Sequence, residues 1–116
     1  METTIEALTA EIRAFRDARD WLQFHNPKEL AVAIAAEAGE LLQHFVWQDH
    51  RQSERRLVDR RDEIASEMAD VAILLFELAD NSGIDLAAAM RAKLARNEER
   101  YPADRARGSN AKYNEL

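Results

Sequence analysis

The chain has 116 residues and a mass of 13.3 kDa, which is the size of one domain, and we expect a single domain over residues 1–116. Its composition is 47% hydrophobic and 33% charged with only three glycines, which excludes collagen-like and low-complexity classes and favours long helices. The absence of cysteine excludes disulfides and zinc–cysteine sites. We find no membrane-spanning stretch and no signal peptide, and therefore expect a cytoplasmic protein with no membrane partner.

The net charge of −6 is unevenly distributed. Residues 1–90 hold 9 basic and 18 acidic side chains, whereas residues 91–116 hold 7 basic and 4 acidic ones. This balance disfavours a nucleic-acid polymer as partner. An acidic body with a basic C-terminal segment suits a small polyanion held by cations and a few Lys or Arg residues. Random asymmetry of a solvated surface is the alternative.

Helix signals dominate the first half of the chain. A capping box that begins at Thr3 predicts a first amphipathic helix over residues 4–20. Asn26, followed by Pro at the first helical position, predicts a second helix over residues 27–47. The polar residues 48–53 are typical of a connection.

The second half continues the helical pattern. A third helix is expected over residues 54–80, ending before Gly83. Asp85 can cap a fourth helix that ends before Tyr101-Pro102, and the tail over 103–116 should be irregular. No period-two strand pattern and no linker interrupt the chain. The expected fold is therefore all-α, with four main helices in a bundle-like arrangement.

Two acid pairs lie inside otherwise apolar helical runs. Glu37 and Glu40 lie in the second predicted helix, and Glu67 and Asp70 in the third. Residues three apart share a helix face, so each pair projects together. No lysine or arginine lies near either pair in the sequence. We expect the two helices to be antiparallel, with the four carboxylates facing one another.

Clustered carboxylates require compensation. Two like charges about 4 Å apart repel by about 4 kcal/mol at an effective dielectric constant of about 20, and a buried ionised group needs a partner. A divalent cation can neutralise several carboxylates at once and is therefore the expected partner. Oxygen ligands without cysteine favour Mg²⁺ or Mn²⁺ over zinc. A solvated acidic stripe is the alternative. A di-iron bundle requires Glu-x-x-His on two helices. Here Gln43 takes the place of that histidine after Glu40, and His44, one position later, is the one histidine close to either acid pair in the sequence.

These acid segments resemble those of the MazG-like all-α nucleoside triphosphate pyrophosphohydrolases, most closely the small dCTP pyrophosphatase branch. That superfamily carries Glu-Glu-x-x-Glu on one helix and Glu-x-x-Asp on the next; here Ala36 replaces the leading acid, as in that branch. Further similar stretches extend the resemblance over almost the whole chain: Arg19-Asp20-Trp21-Leu22-Gln23-Phe24-His25, Phe45-Val46-Trp47, and the run from Lys93 through Pro102 to Tyr113.

The resemblance implies a role for each matching residue. The implied magnesium ligands are Glu37, Glu40, Glu67 and Asp70. The residues implied to hold the base, the triphosphate and the sugar are Trp21, Trp47, Lys93, Asn97 and Tyr101. Without the resemblance, the two tryptophans would more typically fill a core, and the other three residues would more typically lie on an exposed helix face. Relatives that prefer dCTP carry a histidine where this chain has Ile12, which leaves the base preference open.

The function implied by this resemblance is cleavage of a nucleoside triphosphate to the monophosphate and pyrophosphate, with Mg²⁺ and with dCTP or a modified dCTP as substrate, in nucleotide-pool cleansing. A dUTP or broad-range NTP pyrophosphatase is an alternative, and so is a non-enzymatic acidic helical adaptor. The apolar side chains of Ile73, Leu74, Leu75, Phe76 and Leu78 exceed what one helix can bury internally. We therefore expect a homo-oligomer, a tetramer in preference to a dimer.

Overall fold

The computed structural model describes residues 2–116, and all regular elements in that part of the chain are helical. The all-α prediction is confirmed. Six α-helices are present within it: α1 (Ile5–Asp17), α2 (Pro27–Gln43), α3 (His50–Asp59), α4 (Arg61–Asn81), α5 (Leu86–Arg100) and α6 (Ala103–Ala106). Short 3₁₀ segments occur at Leu22–Phe24 and Tyr113–Glu115. Two compact units result, one ending at Gly83 and the other spanning Ile84–Leu116.

The first helix is shorter than its sequence pattern indicates. Thr4, not Thr3, is the cap, because its extended backbone lets its hydroxyl accept a bond from the amide of Ala7 at 3.0 Å. The helix ends at Asp17 rather than at residue 20. Asp20 has a φ of 53°, in the left-handed region, which is incompatible with a continuing right-handed helix.

The second helix begins as predicted and ends early. The side chain of Asn26 accepts from the amide of Glu29 at 2.9 Å, with Pro27 at the first helical position. The helix ends at Gln43 instead of residue 47, because the next amides bond three residues back and Trp47 has a φ of 63°. Trp47 therefore stands on a turn after α2.

The predicted third helix is two helices. Asp49 forms a capping box with Gln52 and starts α3 inside the stretch predicted to be a connection. The helical path then breaks at Arg60, where φ is −119° and ψ is 31°. The sequence has no Gly or Pro at this break. Residue type therefore does not predict the break, and the sequence pattern alone joins α3 and α4 into one helix.

Helix α4 is the central element of the first unit. It packs against α1, α2 and α3, most extensively against α2. His25, which precedes α2, contacts Glu77 near the end of α4, whereas His44, which follows α2, faces Glu67 nearer its beginning. The acid-bearing helices are therefore antiparallel, as expected.

Polar contacts join the first and fourth helices. Arg13 makes a two-point contact with the carboxylate of Asp80, at 3.0 and 2.8 Å, and the bonds and charge of this guanidinium lower the pKa of Asp80. One turn later, Arg16 is buried and donates to the side-chain amide oxygen of Asn81 at 2.7 Å. These contacts fix the C-terminal end of α1, and with it the segment that carries Trp21.

The second unit follows the sequence expectation closely. Asp85 caps α5 by accepting from the amide of Ala88 at 3.0 Å, and the helix ends at Arg100, just before Tyr101. The tail predicted to be irregular contains α6 and a 3₁₀ turn between irregular stretches. The ring of Tyr113 meets that of Tyr101 edge-on, with centroids 6.1 Å apart. Among residues 2–116, no helix is both long and apolar enough to cross a membrane.

Candidate metal and nucleotide site

The antiparallel pair α2 and α4 brings the two acid pairs together. Glu37, Glu40, Glu67 and Asp70 each offer one carboxylate oxygen, and these four oxygens lie within 4.8 Å of one another. The i, i+3 spacing places each pair on one helix face, and the packing of the two helices turns those faces toward each other. The four acids thus converge as the sequence predicts; they do not point away from one another along a solvated stripe.

Two of the converging carboxylates carry an oxygen without a partner. The Oε2 atoms of Glu37 and Glu67 are shielded from solvent, and neither makes a hydrogen bond within the described part of the chain. An ionised oxygen shielded from water is unfavourable unless something binds it. Convergent carboxylate oxygens without a hydrogen-bond donor are the arrangement that a divalent cation fits.

The same crowding shifts the proton equilibria of these two acids. Burial, the close approach of the Glu40 carboxyl group and the neighbouring negative charges together raise the pKa of Glu37 above its ordinary value. Burial, the close approach of the Glu40 carboxyl group and the charges of Glu40 and Asp70 raise the pKa of Glu67, and His44 partly offsets this effect. In the metal-free protein, both carboxyls therefore hold protons to a higher pH than isolated glutamates do.

A single histidine approaches the cluster. The Nε2 atom of His44 lies 3.9 Å from an oxygen of Glu67, and its side chain is mostly buried. A di-iron bundle needs a histidine from each of two helices, whereas α4 contains none. The donor set consists of carboxylates, which fits Mg²⁺ or Mn²⁺ better than a di-iron centre.

Trp21 belongs to an aromatic cluster at the end of α1. Its indole meets the ring of Phe15 edge-on at 5.9 Å and tilts over the imidazole of His25 at 6.1 Å. The guanidinium of Arg19 stacks on Phe15 at 3.6 Å. Since the side chain is 41% exposed, Trp21 is not a core residue, and its free surface can meet a planar ligand.

Trp47 is 96% exposed on a left-handed backbone. Burial of this indole would be the ordinary expectation for a large aromatic side chain, and the structure contradicts it. A bulky residue at positive φ costs of the order of 1–3 kcal/mol and is typical of functional positions. The turn therefore presents an indole that has no packing role inside its own unit.

The three remaining predicted residues lie in the second unit. Lys93 is exposed and Asn97 half-buried, one helical turn apart on α5, and Tyr101 follows at the end of that helix. The spacing i, i+4 places Lys93 and Asn97 near one face of α5, whereas Tyr101, with φ −123° and ψ 66°, lies beyond the end of that helix. Tyr101 is held by its contact with Tyr113, over which Arg100 lies at 4.7 Å.

The buried carboxylate of Glu77 was not predicted from the sequence. Glu77 is only 3% exposed, and its carboxylate accepts from Nδ1 of His25 at 2.7 Å. The available signal was its position: Glu77 lies seven residues after Asp70, near the same face of an apolar helix. Its partner could not be found from sequence because it lies 52 residues away.

Comparison with known proteins gives consistent results. A sequence model of the MazG-like family matches residues 32–116. The dCTP pyrophosphatase 1 of Homo sapiens is 38% identical to this chain over 117 residues, covering 99% of this chain and 69% of the relative. The protein of the same name from Bos taurus is 35% identical with the same coverage. A solved pyrophosphatase structure from Archaeoglobus fulgidus superposes with a TM-score of 0.82 at 39% identity, over 88% of this chain and 95% of that one.

The crowded carboxylates predict a pH dependence of stability. A raised pKa in the folded state means that the metal-free protein loses stability as pH rises from the ordinary carboxyl value of 4.5 through the raised value. Glu37→Gln removes one charge from the cluster and should raise the melting temperature at pH 8 in the presence of a chelator. Saturating Mg²⁺ should stabilise the wild type, by about 2.7 kcal/mol at a hundredfold excess over its dissociation constant, and the variant less.

The matched control is Glu63→Gln, which removes an exposed acid of α4 that lies outside the cluster. Thermal unfolding at pH 5 and pH 8, with chelator and with Mg²⁺, provides the comparison. A wild type insensitive to Mg²⁺, or a Glu37→Gln variant less stable than the wild type at pH 8 in chelator, would contradict the metal-site assignment.

Proposed function

We propose that this chain, which belongs to the MazG-like family and is a nucleoside triphosphate diphosphatase, uses Mg²⁺ to cleave dCTP or a modified dCTP. The reaction is dCTP + H₂O → dCMP + pyrophosphate. Water attacks the α-phosphorus, and the bond from that phosphorus to the α–β bridging oxygen breaks, so that this oxygen leaves with pyrophosphate. The observation that carries the proposal is the convergence of four carboxylates with two shielded, unpartnered oxygens. The biological role proposed is cleansing of the nucleotide pool.

The cation ligands in this proposal are the carboxylates of Glu37, Glu40, Glu67 and Asp70. When bound, Mg²⁺ or Mn²⁺ supplies charge neutralisation for the triphosphate and lowers the pKa of a water molecule enough for attack near neutral pH. The clustered carboxylates position that water, and one of the glutamates accepts its proton. Rigid helices on both sides keep the four groups in place without a loop rearrangement.

The remaining predicted residues bind the nucleotide in this proposal. Trp21 and Trp47 form aromatic walls for the base, since a flat indole can stack on any base. Lys93 offsets charge on the leaving pyrophosphate, while Asn97 and Tyr101 bond phosphate or sugar hydroxyls. The exposure of both indoles supports their part, because neither is needed to fill a core.

The substrate assignment rests on the relatives named dCTP pyrophosphatase 1. Ile12 is half-buried on α1, at the position where the family resemblance implies a histidine in members that prefer dCTP. An aliphatic side chain at this position cannot hydrogen-bond a base, so a preference for cytosine must come from other groups. A dUTP or broad-range NTP pyrophosphatase is the alternative within the same chemistry. The cytoplasmic location stays a prediction.

We also propose that the protein is a homo-oligomer, with a tetramer favoured over a dimer. The fully buried apolar residues of the first unit are few: Leu30, Ile64 and Ala79. By contrast, large apolar side chains of α2 and α4 are 39–62% exposed, namely Val32, Leu42, Met68, Ile73 and Leu75. A second copy of this chain, with the same apolar surfaces, is the partner that such faces suit. Mass measurement in solution should give a multimer; a monomer at micromolar concentration would contradict this.

Loss of a metal ligand tests the catalytic proposal. Glu40→Gln and Asp70→Asn should each reduce pyrophosphate release from dCTP by more than about a hundredfold, because removing a direct ligand should cost more than changing a group that merely supports one. Helix content by circular dichroism should stay unchanged. The measurement is a panel of dNTPs and NTPs with Mg²⁺, with pyrophosphate and orthophosphate separated.

The matched control is again Glu63→Gln, which should keep wild-type turnover. Release of orthophosphate in place of pyrophosphate would contradict attack at the α-phosphorus. Absence of turnover by the wild type on every nucleotide would instead favour the non-enzymatic acidic adaptor. Equal turnover of dCTP and dUTP would contradict the substrate assignment but not the chemistry.

A further inference from the structure

Helix α3 and the break that follows it carry a concentration of arginine. Of the nine basic residues among residues 1–90, five lie within residues 51–61: Arg51, Arg55, Arg56, Arg60 and Arg61. The other four are engaged elsewhere, three in ion pairs and one on an aromatic ring: Arg13, Arg16, Lys28 and Arg19. The proposed cleavage chemistry makes no use of the arginines at α3.

Part of this cluster lies on one polar stripe along α3 and just beyond its ends. The residues of the stripe recur at spacings of three and four: Gln48, Gln52, Arg55, Arg56, Asp59 and Arg60. Such spacing places side chains on one helix face. All six line a single open depression of about 240 Å³. With three guanidiniums and one carboxylate in its lining, the depression carries a positive charge.

The guanidiniums in this lining have donors to spare. Among residues 2–116, neither Arg55 nor Arg56 takes part in an ion pair, and Arg60 approaches a carboxylate oxygen of Glu63 at only 3.7 Å. A guanidinium has five N–H donors and no acceptor. Most of these donors are therefore left to solvent or to a ligand with acceptor oxygens.

Two features reduce the cost of ordering the lining around a ligand. The Oε1 atom of Gln52 accepts from the backbone amide of Asp49 at 2.9 Å, inside the capping box that starts α3. This contact holds the side chain and leaves its NH₂ group for another partner. Arg56 is half-buried, so its side chain has less conformational freedom to lose on binding than a fully exposed arginine has.

The chemistry of the lining selects a compact oxyanion with several negative charges. Guanidinium groups bind phosphate oxygens through paired N–H bonds. A nucleic-acid strand that follows the whole stripe would pass Asp59, and the net charge of −6 also disfavours such a polymer. A diphosphate group is short enough to avoid that carboxylate and has oxygens for more than one guanidinium.

We propose that the depression lined by Arg55, Arg56 and Arg60 binds inorganic pyrophosphate. None of the four clustered carboxylates lines it. Its lining supplies positive charge without a metal ion, whereas the carboxylate cluster repels a polyphosphate until a cation is bound. Pyrophosphate is also the product in the proposed function, but binding at α3 does not require that the reaction occurs.

The test is calorimetric titration of the full chain with inorganic pyrophosphate, after a chelating resin has removed divalent cations. The wild type should bind one pyrophosphate per chain, and more weakly as salt rises, because exposed charges are screened. Arg55→Gln and Arg56→Gln should each weaken binding about tenfold, since each removes charge-assisted hydrogen bonds. Because Arg55 is exposed, its replacement tests the site without disturbing the packing of α3.

Two control variants locate the site. Arg51→Gln removes the same charge from the same helix at a position outside the depression, and should change the affinity less than about twofold. Lys93→Gln removes the cation that the proposed function places at the leaving pyrophosphate, and should have no effect without a divalent cation. Nitrogen-15 NMR of the guanidinium Nε–H groups should show that pyrophosphate shifts the signals of Arg55 and Arg56 but not that of Arg51.

The inference fails if the wild type shows no saturable binding of pyrophosphate at millimolar concentration, or if Arg51→Gln weakens binding as much as Arg55→Gln does. Loss of binding in Lys93→Gln alone would place the pyrophosphate at the nucleotide site and overturn it as well. So would a single-stranded oligonucleotide that binds more tightly than pyrophosphate at the same salt concentration. None of these results involves turnover. Failure to release pyrophosphate from any nucleotide would overturn the proposed function and not this site, so the two failures are distinguishable.

Discussion

Mutual repulsion of four carboxylates is the constraint on which the rest of the site depends. One oxygen of each lies within 4.8 Å of the others on two packed helices, and the Oε2 atoms of Glu37 and Glu67 are shielded without a donor. Such a cluster is unfavourable in isolation, as the raised pKa values of Glu37 and Glu67 indicate. The electrostatic potential at such a site is strongly negative, and a divalent cation bound there would neutralise it. The bound cation would in turn attract a polyphosphate.

Packing and polar contacts in the first unit hold the helices that carry these carboxylates in place despite the repulsion. Helix α4 packs against three others, and two-point contacts such as Arg13 to Asp80 join it to α1. The buried group of Arg16, Glu77 and His25 lies in the same junction, so structural support and the orientation of the imidazole arise from one set of contacts. Such support matters because the ligands of a metal site tolerate only small displacements.

The sequence predicted local features well and pairings of distant residues poorly. Asn26 and Asp85 were recognisable as caps because capping depends on residues three apart, and the four acids were recognisable because they interrupt apolar runs. The break at Arg60 was missed, since no Gly or Pro marks it. The early end of α2 was missed for a similar reason: a tryptophan at positive φ is disfavoured locally, so no residue type there predicts the turn.

The contact between His25 and Glu77 shows the same limit for the site. Each residue is unremarkable in its own segment, and only the antiparallel packing of α2 and α4 brings the region before one helix to the end of the other. Family resemblance supplied the roles of Trp21 and Trp47, while composition alone favoured burial of both. Their exposure, which no periodicity indicates, is a property of the folded chain.

The central claim, that the four acids exist to hold divalent cations, is tested most directly by titrating the protein with Mn²⁺ and following the electron paramagnetic resonance signal of the free ion. The account predicts a saturable loss of that signal, reversed by Mg²⁺ and abolished when Glu37 and Glu67 are both replaced by glutamine. Failure of the wild type to remove Mn²⁺ from solution, or equal uptake by the folded double variant, would contradict it.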